Sequence, residues 1–215
     1  MDNEIKIPVL TAEQIRVLGA LMEKAKTTPD YYPMTMNGLV SACNQKTSRK
    51  PVVNYDEEVI GSALNSLKIA GLTSTATGGS IRNIKYKHNF AIVYPLLPSE
   101  VAVMCLLFLR GPQTPGEINT NSGRLYEFET LEEVQQTLEK LANEGYVKQL
   151  PKRAGQKEQR YMHLFAGDVE FNEEDYSNDE PVTKSNSQLE ERVAKLEAEL
   201  AELKENFDKL MKELY

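Results

Sequence analysis

The sequence predicts an α+β chain, mainly α, built from one small module used twice and closed by a C-terminal coiled-coil helix. Three observations predict it. Leu64-Asn65-Ser66-Leu67-Lys68-Ile69-Ala70-Gly71-Leu72 and Leu138-Glu139-Lys140-Leu141-Ala142-Asn143-Glu144-Gly145-Tyr146 share a leucine stripe, a glycine and a large apolar residue after it. A helix that ends on a glycine C-cap and turns into a strand reads this way. The two copies also stay in register with shrinking offsets. Leu10-Thr11-Ala12-Glu13 matches Leu97-Pro98-Ser99-Glu100 at 87, Pro33/Thr35/Leu39 matches Pro112/Thr114/Ile118 at 79, and Leu64 matches Leu138 at 74. Insertions confined to connections are what a structural repeat predicts. The third observation is an unbroken heptad near the end of the chain.

In the first copy, residues 11–26 form a helix with Thr11 as N-cap and Gln14 as its capping-box partner. Ile15, Leu18, Leu21 and Met22 share its inner face. A short helix runs from Thr35 to Cys43, and the polar stretch 44–51 leads to a third helix over 56–70, with Val59, Ile60, Ala63, Leu64 and Leu67 inward. Residues 72–77 and 81–88 form a hairpin around Gly78-Gly79. The second copy repeats the order. A very apolar helix over 99–109 is stopped by Gly111-Pro112, and Thr114 opens a short helix ending near Gly123. Residues 125–128 are extended. Thr130 then caps a helix, with Glu133 as capping-box partner and Leu131, Val134, Leu138 and Leu141 inward. Residues 146–150 and 160–165 make the second hairpin. Three helices and a β-hairpin, twice, describe tandem winged-helix domains at 1–92 and 93–166.

Residues 167–187 are acidic, polar and poor in large apolar residues, the composition of a flexible linker. In 188–215, Leu189, Val193, Leu196, Leu200, Leu203, Phe207, Leu210 and Leu214 alternate spacings of four and three. That is a coiled-coil seam about 39 Å long at 1.5 Å per residue. With Leu189 at d, every d is leucine, as parallel dimers prefer, and Arg192/Glu197 and Glu199/Lys204 attract across the seam. The expected assembly is a homodimer through this helix.

The net charge of −7 conceals two regions. Residues 1–165 hold 19 basic and 17 acidic side chains, a net of +2, whereas residues 166–215 hold 6 and 15, a net of −9. The globular part is slightly basic, which permits a nucleic-acid partner without requiring one. An apolar run long enough to cross a membrane and a signal peptide are both missing, and Cys43 and Cys105 are isolated thiols. A reducing cytoplasm is the expected compartment, with no membrane contact.

Chemistry-bearing motifs are scarce. His88 and His163 lie on corresponding hairpin strands without Cys or acidic partners at metal-ligand spacing. Nucleophile elbows, P-loops and dinucleotide fingerprints do not occur. The expectation is a non-enzymatic binding protein without metal or cofactor. Its candidate contact residues are cationic. Lys46, Arg49 and Lys50 precede the third helix, Arg82, Lys85 and Lys87 lie on the first hairpin, and Lys148, Lys152, Arg153, Gln156, Lys157 and Arg160 lie on the second. A basic hairpin can lie along phosphates and position a protein without reading sequence. Both third helices begin with acid, Asp56-Glu57-Glu58 and Glu129, Glu132 and Glu133, which opposes base readout in the major groove. The partner is therefore duplex DNA held by the hairpins or, alternatively, a protein, with winged helices and coiled coil serving as an adaptor.

Long motifs also resemble a known family. Leu109-Arg110-Gly111-Pro112-Gln113-Thr114-Pro115-Gly116-Glu117-Ile118, the segment Cys43-Asn44-Gln45-Lys46 continuing to Arg49, Pro51 and Val52, and the hairpin from Leu150-Pro151 through Gly155-Gln156-Lys157-Glu158 to Tyr161 and His163-Leu164-Phe165 are similar to the YceH family of uncharacterised bacterial proteins. The resemblance covers about residues 8–166. It implies two tandem winged-helix domains and no established activity, substrate or cofactor.

Overall fold

The threonines that open helices decide much of the local structure. In this computed structural model, which describes residues 7–76, 84–152 and 158–167, helix α1 (Ala12–Thr27) begins with a complete capping box. The Thr11 hydroxyl accepts from the Gln14 N–H, and the Gln14 side chain accepts from the Thr11 N–H. Its counterpart α5 (Pro98–Arg110) is capped by Leu97, which has no side-chain acceptor. Only the return half forms, from the Leu97 N–H to Glu100 at 2.7 Å. Cap against cap, the first helices align at an offset of 86, one less than the sequence match suggested.

The other helices keep the expected offsets. Thr35 caps α2 (Met36–Cys43) and Thr114 caps α6 (Pro115–Ser122), each eight residues long. Helices α3 (Glu57–Ile69) and α7 (Leu131–Asn143) are thirteen residues each and start from Asp56 and Thr130. Both end on a left-handed glycine, Gly71 at φ 75° and Gly145 at φ 78°. The Leu72 N–H bonds to Leu67 O and the Tyr146 N–H to Leu141 O, each at 2.9 Å, so both C-caps close the same way.

Strands β2 (Thr73–Ala76) and β3 (Lys85–His88) pair antiparallel, and β1 (Met34–Thr35) adds to the other edge of β3. In the second copy β4 (Val147–Gln149) pairs with β5 (Tyr161–His163), and a single bridge from Gln113 to Tyr161 stands where β1 does. Thr73 faces His88 and Val147 faces His163, so the two histidines occupy equivalent register positions. The hairpin tips, 77–83 and 153–157, lie outside the described residues.

The boundary expected at residue 92 separates repeats and not cores. Residues Met1–Val169 form one compact unit, and the buried apolar residues of both copies form one cluster. The physical reason is α5. Every residue from Ala102 to Leu109 is buried, so the helix has no solvent face, and α1 covers it. Gly19 lets the two helices approach; a Cβ there would sit 3.0 Å from Leu109 and Phe108. The Cys105 thiol donates to Gly19 O at 3.5 Å. A short helix that the sequence reading missed, α4 (Phe90–Val93), inserts Phe90 between the copies. Phe90, Tyr94, Phe108, Tyr146 and Phe165 form an aromatic cluster with ring centroids 5.1–6.4 Å apart.

Other details differ from expectation. Residues 125–128 join no sheet; Leu125 lies in a turn, Tyr126–Phe128 carry no regular secondary structure, and Leu125 and Phe128 are buried. Leu131 is 39% exposed rather than inward, because it occupies the first turn of α7. Glu133 does not return its carboxylate to Thr130: it accepts from the Glu129 N–H and the Tyr126 hydroxyl. Residues 168–215 lie outside the described residues, and with them most of the expected linker and Leu189, Val193, Leu196, Leu200, Leu203, Phe207, Leu210 and Leu214.

Candidate functional site

The expected cationic surface divides once side chains are placed. On β3 the alternation of the strand turns Lys85 and Lys87 outward and Tyr86 and His88 toward the protein. Among the described residues neither lysine has an ion-pair partner. Lys46, Lys50, Lys148 and Lys152 are exposed as well. Arg82, Arg153, Gln156 and Lys157 lie outside the described residues.

Arg49 and Arg160 correct the expectation. Arg49 has no exposed side-chain surface. Its Nε donates to Ala42 O, Nη1 to Ser48 O and Glu23 Oε1, and Nη2 to Glu23 Oε2 at 2.6 Å, to Ala42 O and to Gln45 Oε1. With Arg16, which donates to Cys43 O and Pro51 O, it fastens the 44–51 loop onto α1 and the end of α2. The last turn of α2 carries carbonyls that the helix cannot satisfy, Ala42 O and Cys43 O, and the two guanidiniums supply the donors. Arg160 grips Glu117 with both Nη atoms, at 2.8 and 2.9 Å, and also donates to Pro112 O. Glu117 accepts from the Thr114 N–H too, so this pair ties the base of the second hairpin to the start of α6. Both arginines are internal braces, spent on carbonyls and carboxylates where the sequence suggested phosphate.

The third helices show their polar faces. Glu57, Glu58, Ser62 and Asn65 are exposed on α3, and Glu132, Gln135, Gln136 and Glu139 on α7. A polar groove of about 500 Å³ runs between α1 and α3, with Glu13 and Glu58 on its walls. A phosphate brought to either helix start meets carboxylates, at a cost of about 1 kcal/mol per charge pair at 4 Å in water.

The cysteines and histidines of the described interior are held in their neutral forms by burial. Burial pushes the Cys43 thiol up to about 12 and raises Cys105 as well, so both stay protonated. Burial lowers His88 and His163 to about 4 each, which keeps both imidazoles neutral near pH 7. His163 packs edge-on against Phe108, and its Nδ1 has no partner among the described residues. Among those residues no group of three His, Cys, Asp or Glu side chains is placed to hold a metal ion. No helix there is long and apolar enough to cross a membrane.

Sequence reasoning missed two features. Glu100 is almost fully buried in the first turn of α5 and pairs with Lys140 of α7. Its signal was present, since a carboxylate three residues after a helix cap is a box partner. The other is an apolar cleft of about 250 Å³ lined by residues of both copies and of the connection between them. It sits among residues of distant sequence, so no local pattern announces it.

Comparison with known proteins places this geometry in a group. The family described as "Protein of unknown function, DUF480" matches residues 10–156. A UPF0502 protein of Solibacter usitatus is 49% identical over 199 residues, 93% of this chain and 95% of that one. A UPF0502 protein of Shewanella piezotolerans is 44% identical, covering 91% and 94%. The UPF0502 protein YceH of Escherichia fergusonii is 42% identical over 212 residues, covering 95% and 97%.

Proposed function

The chain belongs to the DUF480 family of proteins of unknown function, with YceH among its relatives, and from that premise we propose that it is a non-enzymatic binding protein of two tandem winged-helix units that associates with duplex DNA through its hairpins. Three helices and a hairpin per copy, with matching caps and equivalent strand registers, support the winged-helix reading. The observation that carries the DNA reading is the outward pair Lys85 and Lys87 on β3, two cations without partners among the described residues on the strand that faces solvent. Contact through such lysines grips the phosphate backbone and carries no base readout. The carboxylates at the starts of α3 and α7 support the same division of labour, because they keep those helices out of the major groove.

Fluorescence anisotropy of a labelled duplex across a salt series tests this. Lys85→Glu with Lys87→Glu lowers affinity on all sequences alike and reduces the log–log salt slope by about 2. Anisotropy that never rises at low salt removes the DNA reading. A second reading, a protein-binding adaptor, is favoured by Ile92 and Leu97, which are 80% and 56% exposed on the connection between the copies. Recovery of a protein partner from nuclease-treated lysate, lost on Ile92→Asp with Leu97→Asp, distinguishes it.

A further inference from the structure

The cleft between the copies has a chemistry of its own. Met22 of α1, Val101 and Ala102 of α5, and Leu125 give it apolar walls. Two polar side chains also line it, Lys26 near the end of α1 and His88 on β3. Both offer hydrogen-bond donors. The Lys26 ammonium has no acceptor among the described residues. His88 accepts the Phe90 N–H at Nδ1, 3.3 Å away, so its neutral ring carries the proton on Nε2. Among the described residues no acidic side chain lines the cleft. An apolar cleft of this size whose two polar side chains are both donors suits a ligand with an apolar body and an acceptor headgroup.

We propose that this cleft binds a small amphipathic carboxylate, its apolar body held between α1 and α5 and its carboxylate by Lys26 and His88. The volume sets the size. A dry cavity of about 150 Å³ holds benzene, so one of about 250 Å³ suits a body of roughly ten carbons. Charge complementarity sets the headgroup: a cation and a neutral N–H donor select an anion over an alcohol or an amine. Lys85 and Lys87 do not line the cleft, so the site stands or falls independently of the DNA reading.

Naphthalene-2-carboxylate and its uncharged analogue naphthalene-2-methanol serve as probes, titrated by calorimetry into the full-length chain. The carboxylate binds saturably and at least about tenfold more tightly than the alcohol, a difference of about 1.4 kcal/mol. Lys26→Gln, at an exposed position, removes that preference and leaves alcohol binding within about twofold. Ala25→Leu, at a residue lining the cleft, fills it and abolishes binding of both probes, with thermal denaturation confirming that the variant is folded. If Ala25→Leu fails to fold, displacement of methyl NMR signals of Met22 and Leu125 by the carboxylate in the unmodified protein locates the site instead. Absence of saturable binding overturns the proposal. So does equal affinity for the two probes with Lys26→Gln inert, which would leave an apolar hollow without an anion site.

Discussion

Arg49→Ala separates a structural brace from a phosphate contact. The side chain is fully buried and makes six hydrogen bonds, two of them to the carboxylate of Glu23. Truncation strands that carboxylate, whose side chain is only 14% exposed, with Lys24 at 3.1 Å as its remaining cation. It also strands the carbonyls of Ala42 and Ser48. Removing one partner of a buried pair costs about 3–5 kcal/mol. Lys24 and the residual exposure of Glu23 place the expected loss at the low end, about 3 kcal/mol, or a Tm lower by roughly 10 °C for a unit of this size. Urea denaturation followed by circular dichroism measures it. Glu23→Gln combined with Arg49→Met costs less than the two single changes added, with a coupling of about 1–3 kcal/mol. Acid narrows the difference. Burial pushes the Glu23 carboxyl up, and the hydrogen bond and charge of Arg49, with Lys24, more than reverse it, so its pKa in the folded chain is lowered. The pair therefore stabilises above the unfolded carboxyl pKa and loses its effect as pH falls below it. A variant with unchanged Tm and weakened duplex binding would refute the reasoning and return Arg49 to the contact surface.

Other perturbations test the rest of the fold. His88 and His163 are held near 4 by burial, below the unfolded value of about 6.5, so the unfolded state takes up protons first as pH drops. Stability is full above that unfolded value and falls between it and about 4; each histidine accounts for about 2 kcal/mol between pH 7 and pH 5. His163→Phe therefore flattens the pH dependence of the urea midpoint, and an unflattened profile contradicts the burial argument. Gly145→Ala forces an alanine to φ 78° with open space around its Cβ, so the cost is backbone strain alone, about 1 kcal/mol in chemical denaturation. A loss above about 3 kcal/mol would mean that the turn packs where the structure leaves it open. Phe165→Ala removes a fully buried ring from the aromatic cluster and costs about 3–5 kcal/mol. Calorimetry of the same variant gives one transition for both repeats; two separate transitions would show independent cores.

What was legible in the sequence was local. Thr11, Thr35, Thr114 and Thr130 announce helix starts because their hydroxyls satisfy orphan N–H groups within three residues. Gly71 and Gly145 announce helix ends because few other residues adopt φ near 75° cheaply. The tertiary uses of residues were harder to read. Arg49 and Lys50 are neighbours in a polar loop, yet one is buried on Glu23 and the other is exposed. Composition cannot tell them apart, because what decides is the position of Glu23, 26 residues away in sequence. Arg160 misled in the same way, since its partner Glu117 lies 43 residues away on α6. Short α4 escaped notice because a four-residue helix leaves no periodicity to detect.

The fusion of the repeats follows from one helix. An α5 apolar on every side cannot serve a three-helix module alone, because such a module buries only one stripe of each helix. It needs a second layer, and α1 of the other copy supplies it through the close approach at Gly19. The first helices are thereby committed to each other. The third helices and hairpins keep exposed polar and cationic faces. Packing the repeats together yields more than two separate surfaces. The connection from Phe90 to Leu97 must pass across the joint, and it buries Phe90 and Tyr94 while leaving Ile92 and Leu97 in solvent. A single module offers neither that connection nor the cleft beside it. Both are products of the fusion, and Lys26 and His88 at the cleft come from the first copy while Val101 and Ala102 come from the second. A ligand seated there touches both repeats at once and so stabilises their junction in proportion to its own occupancy.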